Sequence, residues 1–133
     1  MTKENRNELE KLRGARIIDI RDVLPTFYFD NKATLFLECP WRLVSKSEHI
    51  IIGHAEFKGQ STHDEGMNIL KNEILNRKVL DFEVDEELKD IRMTFENNLR
   101  LDIFVHSALY ESWNLHVGQR NFIAIPGGQL AIF

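Results

Sequence analysis

Cysteine is nearly missing from this 133-residue chain: Cys39 is the only one. A lone thiol excludes an internal disulfide and any zinc cage built on cysteines, and it fits a reducing compartment. Long apolar runs are missing too. None approaches the roughly 20 residues that cross a bilayer, and the charged stretch 1–16 lacks the apolar centre of a secretory signal. A cytoplasmic location without a membrane partner is therefore expected. Positive charge is not in excess either. Lys and Arg number 17 against 21 Asp and Glu, for a net charge of −4, so no general affinity for nucleic acid is expected.

Signatures of catalysis are also lacking. None of the five histidines stands four residues from another with a glutamate between, the spacing of a zinc helix. His49 and His54 are five apart, which on a strand puts them on opposite faces. Ser107 follows His106, and adjacent strand residues point apart, so they cannot pair as nucleophile and base. No G-x-S-x-G elbow occurs, and Gly127-Gly128 is a turn too short to cradle a phosphate. Cys39 sits between Glu38 and Pro40 with no base nearby, which fits a buried structural thiol. No enzyme activity, metal or cofactor is expected. A polar site assembled from distant strands is the arrangement that sequence spacing does not reveal.

What the chain does contain is alternation. Apolar residues make up 43% and charged ones 29%, an ordinary globular composition. Ile18 and Ile20 alternate with Asp19 and Arg21, Leu80, Phe82 and Val84 with Asp81 and Glu83, and Ile91, Met93 and Phe95 with Arg92, Thr94 and Glu96. A period of two is that of a half-buried strand. Hairpins are predicted at Asp30-Asn31-Lys32, with Asn31 suited to a left-handed turn position, at Glu96-Asn97-Asn98, and at Pro126-Gly127-Gly128. One helix is predicted in the middle, over 61–76. Thr62 and Glu65 have capping-box spacing, Met67, Leu70 and Ile74 form a stripe, and Gly66 weakens it. Residues 1–13 form a polar arm or short helix with only Leu9 and Leu12 on its apolar side.

The fold class is thus α+β, mainly antiparallel β, with a first β-meander over 14–60, a central helix over 61–76 and a second β-meander over 77–133. Phe29–Leu35 aligns without gaps on Phe95–Leu101, and each half carries a Trp-x-Leu after its hairpin, at Trp41 and Trp113. An internal duplication is one explanation. The other is that any two alternating hairpins with asparagine turns look similar.

Two surfaces stand out. Asp81, Glu83, Asp85, Glu86, Glu87 and Asp90 face a single base, Lys89, and such a cluster either receives a basic partner or is a solvated face. In Tyr110-Glu111-Ser112-Trp113, Glu111 and Trp113 share one side of an extended chain. The segment is either a recognition surface or a stretch in which Trp113 joins the core and Glu111 fastens a turn.

The strand Tyr110-Glu111-Ser112-Trp113-Asn114-Leu115, the hairpin from Ile91 to Ile103 and the closing Pro126-Gly127-Gly128-Gln129-Leu130-Ala131-Ile132-Phe133 resemble a small bacterial domain family of unknown function. Pro40-Trp41-Arg42-Leu43 is similar to its Pro-Phe/Trp-Arg-Leu. Small domains of this kind resemble immunity proteins of bacterial toxin systems, so the resemblance implies a non-catalytic protein that neutralises a toxin by occluding it. Partner-binding residues would be Asp81, Glu83, Asp85, Glu86, Glu87, Tyr110 and Glu111. The alternative is a small-ligand or sensor module with a site between the meanders at Trp41, Arg42 and Trp113. Edge strands left by a meander also admit a two-fold homodimer.

Overall fold

The computed structural model describes residues 1–133. Its elements are α1 (Lys3–Glu10), β1 (Ile17–Arg21), β2 (Thr26–Phe29), β3 (Thr34–Leu37), β4 (Trp41–Val44), β5 (Ile50–Gly53), α2 (His54–Lys58), α3 (His63–Ile74), β6 (Val79–Val84), β7 (Ile91–Phe95), β8 (Arg100–Ile103), β9 (Trp113–Val117), β10 (Arg120–Ile125) and β11 (Gln129–Ile132). Every strand pairing is antiparallel. The chain is α+β and mostly antiparallel sheet, and no helix is long and apolar enough to cross a membrane.

The strands form two sheets, in the orders β1-β2-β3-β9-β10-β11 and β5-β4-β8-β7-β6. Each half of the chain keeps its first three strands as a meander and sends the strands that follow, β4-β5 in one case and β9-β10-β11 in the other, into the other half's sheet. Alternation in the sequence does not predict this exchange, because a strand's period is the same whichever neighbour it finds.

The halves match position by position. Leu37 stands opposite Trp113 in the six-stranded sheet, and Ile103 stands opposite Trp41 in the five-stranded one. The two first strands meet at an Arg16–Lys78 bridge, where Ile17 N–H donates to Arg77 O at 3.3 Å and Val79 N–H to Ala15 O at 2.8 Å. Gly14 and Asn76, both at positive φ, donate their N–H groups to Val79 O and Ile17 O. The two halves are thus arranged about a pseudo-two-fold relation at the Arg16–Lys78 bridge.

Under this relation α1 is the counterpart of α3. Leu9 and Leu12 are buried, and the arm is docked: Arg13 pairs with Asp81 on β6 at 2.6 Å, while Glu8 accepts the Gln119 N–H at 3.1 Å. α3 packs correspondingly against β1 and β5. Each helix lies along the flank of the two sheets.

Both first strands carry a β-bulge at the same place, between Ile17 and Asp19 and between Val79 and Asp81. The aspartate carboxylate after each bulge accepts the next N–H, Ile20 in one case and Phe82 in the other, at 2.9 Å. The extra residue turns the side chain outward, so Ile18 and Leu80 face solvent although simple alternation places them inside. Met93, Phe95, Leu101 and Ile103 are fully buried.

Two turn details differ from the sequence expectation. Lys32, not Asn31, takes the left-handed position, and Asn98 takes it in the second hairpin. The capping box does not form either. The Thr62 hydroxyl donates back to Glu56 O, and the His63 ring meets Phe57 O at 2.6 Å, because α2 sits immediately upstream and supplies closer acceptors. Gly66 is in α3 for a packing reason: a Cβ there would lie 3.0 Å from Ile52 Cδ1.

Candidate functional site

Three loops gather at one end of the molecule. Trp113 begins β9 with its ring in the core, and its Nε1–H donates to Lys89 O at 2.8 Å, tying down the 85–90 loop. That loop closes on itself through Asp85 N–H to Asp90 O and Leu88 N–H to Asp85 Oδ2, both at 2.8 Å. Asp90 Oδ1 accepts the Val105 N–H at 2.8 Å, joining the loop to the 104–112 segment. The Ser107 hydroxyl accepts from Leu109 and Tyr110 N–H at 3.1 and 2.9 Å, and Ser107 O receives the Gly127 N–H of the last hairpin. The serine therefore fastens the turn that sequence reasoning offered to Glu111.

On this framework Leu88, Leu109 and Tyr110 are 57%, 77% and 72% exposed. Asp85, Glu86, Glu87 and Glu111 are exposed as well and enter no ion pair. Large apolar side chains left in water among free carboxylates make a surface without an intramolecular role. Five expected partner-binding residues meet here: Asp85, Glu86, Glu87, Tyr110 and Glu111. Asp81 and Glu83 do not join them. Asp81 is engaged by Arg13, and Glu83 lies on the outer face of β6 opposite Arg92.

The ligand site drawn around Trp41, Arg42 and Trp113 is not assembled. Trp41 and Trp113 are 3% and 1% exposed and point inward from different sheets. Arg42, next to Trp41 on β4, necessarily points to the opposite face. Trp41 packs edge-on against Phe57, with ring centroids 5.2 Å apart. It borders a pocket of about 210 Å³ with Cys39, His54 and His106. Burial, with a smaller push from Asp90, raises the Cys39 thiol to about 12. Burial, Lys58 and His106 lower the His54 imidazole below its ordinary value. A thiol so high is protonated at neutral pH and is no nucleophile.

Instead, Arg42 belongs to a cluster that the sequence did not reveal. On the outer face of the five-stranded sheet, Arg42, Asp102, Arg92 and Glu83 stand in one row across β4, β8, β7 and β6. Asp102 Oδ2 accepts Arg42 Nε at 3.1 Å and Arg100 Nη2 at 3.2 Å, and its Oδ1 accepts Arg100 Nε at 2.9 Å. Arg92 Nε lies 3.5 Å from the same Oδ1. Three guanidiniums thus cover one carboxylate that is itself 5% exposed. Period-two spacing does put Arg100 and Asp102 on one face, but only the exchanged pairing of β4 with β8 brings Arg42 to them.

Compared with known protein families, curated proteins and solved structures, the chain matches none.

Proposed function

We propose that this is a non-catalytic binding protein whose working surface is the acidic end formed by the 85–90 and 104–112 loops, and that it acts as an immunity-type protein against a bacterial toxin in the cytoplasm. One observation carries the reading: Leu88, Leu109 and Tyr110 stand exposed on hydrogen-bonded loops that also carry Asp85, Glu86, Glu87 and Glu111, none of which enters an ion pair. Apolar anchors within a charged rim are the pattern of a protein interface, and the rim's sign selects a basic partner. The loops are fixed before binding by Trp113 and Ser107, which lowers the ordering cost of association.

Co-expression with a toxin encoded beside its gene is the test. Wild-type protein is expected to restore growth and to co-purify with the toxin, and a Leu109→Asp, Glu86→Lys, Glu87→Lys variant is expected to do neither while remaining folded. Full toxin activity at saturating wild-type protein overturns the proposal.

A further inference from the structure

The two sheets end on β1, β11, β5 and β6, and a free strand edge is a template for another strand unless the fold blunts it. β1 and β6 meet at the Arg16–Lys78 bridge, each is bulged, and they carry Asp19, Arg21, Asp81 and Glu83. β5 pairs with β4 through an irregular register and lies against α3. β11 has none of these devices. Gln129-Leu130-Ala131-Ile132 contains no charge and no proline, and its register with β10 is regular throughout. The internal repeat sharpens the contrast. Where the first half follows β5 with α2, the second follows β10 with β11, so one sheet ends beside helices and the other on bare backbone.

The hydrogen-bond phase fixes what this edge offers. Phe133 and Asn121 exchange both main-chain hydrogen bonds, at 2.9 and 3.0 Å. Ala131 and Gln129 therefore also face β10, and the N–H and C=O groups of Leu130 and Ile132 point away from it with no partner in the chain. The Leu130 and Ile132 side chains pack only partly against the core and border an open groove of about 460 Å³. Glu87 and Lys89, one charge of each sign, stand on the same groove, so its charge favours neither a strongly acidic nor a strongly basic occupant.

We infer that β11 pairs antiparallel with β11 of a second copy, joining two six-stranded sheets across a two-fold axis at Ala131. In this register Leu130 stands opposite the partner's Ile132, and Ile132 opposite the partner's Leu130. Every outward N–H and C=O on the strand then finds its complement. Ala131 stands opposite itself, where a small side chain lets the backbones close and no like charges are opposed. A charged foreign strand finds no counter-charge on β11. Pairing consumes the open edge of each copy, so association stops at two. So short an edge buries less than a standard interface, and a reversible dimer with a Kd on the order of 10–100 µM is expected.

Sedimentation of the full chain from about 10 µM to about 1 mM, with hydrogen exchange at both ends of the range, tests this. The mass is expected to climb from monomer to dimer and no further, and exchange at the Leu130 and Ile132 amides to slow as it climbs. Ala131→Lys and Ala131→Glu should each weaken association by roughly fivefold or more, because like charges then stand face to face. Mixing the two variants should restore it, a rescue that only a self-paired position gives. Both changes lie on the outer face of the strand, so the native amide spectrum is expected to persist, and the exchange of wild-type protein decides the matter even where a variant fails to fold. A wild-type monomer at the highest concentration overturns the inference and leaves the edge to a strand of another protein. Leu130 and Ile132 amides whose exchange ignores concentration, or a folded Ala131→Lys protein that dimerises as tightly as wild type, overturn it too.

Discussion

Asn31 and Asn97 make the same hydrogen bond in two places: each side-chain amide reaches back 2.9 Å from a hairpin turn to a main-chain carbonyl at the end of its own half's helix, Lys11 O in one case and Glu73 O in the other. The repeat thus reaches down to a single polar contact. Replacing Asn97 by alanine is expected to cost about 1 kcal/mol, since that bond is partly buried, and replacing Asn31 about half as much. Denaturant midpoints of the two variants check both the size and the order.

Acid should loosen the joint between the halves. Glu8 is held below its ordinary range by Lys11 and then by the Gln119 N–H, and Glu96 by the Lys78 N–H and by Arg16. Asp19 is lowered chiefly by Arg21. The unfolded chain takes up these protons first as pH falls. The contribution is therefore whole above the unfolded values of about 4 and drains away as pH drops toward the depressed folded ones. Unfolding midpoints measured from pH 6 to pH 3 should fall, and Glu96→Gln should flatten part of that slope.

Cys39 should resist thiol reagents in the native protein. With its thiol raised to about 12 and 4% of its surface exposed, labelling at neutral pH is expected to follow unfolding, so the rate should climb with denaturant. Prompt labelling of the folded protein would show that the pocket beside Trp41 opens.

Trp113→Phe tests the preparation of the loop surface. The change keeps most of the ring but strips the Lys89 carbonyl of its donor, at a cost of about 1–2 kcal/mol. Hydrogen exchange should quicken in the 85–90 loop before it does in β9. By contrast, Leu109→Asp and Tyr110→Ser should leave stability within about 0.5 kcal/mol of wild type, because both side chains already stand in water.

Strand identity was readable in the sequence because burial on one face imposes a period of two, and the buried Met93, Phe95, Leu101 and Ile103 follow it. Ile18 and Leu80 escaped because a bulge shifts the phase by one residue, a backbone event with no period of its own. The acidic loop and Tyr110 were visible as composition. Their meeting was not, since it depends on Trp113 Nε1 reaching Lys89 O across 24 residues. The arginine cluster was the least legible. Arg42 is separated from Asp102 by 60 residues, and that distance closes only when β4 crosses to the partner sheet.

Because each half completes its neighbour's sheet, neither can finish alone. A chain cut in the segment between α2 and α3 should give two fragments that are unstructured apart and regain native form when mixed, a split reporter already supplied with its own means of reunion. A half-length chain would need a second copy to close its sheets, and the covalent link between the halves turns that bimolecular meeting into a step that dilution does not govern.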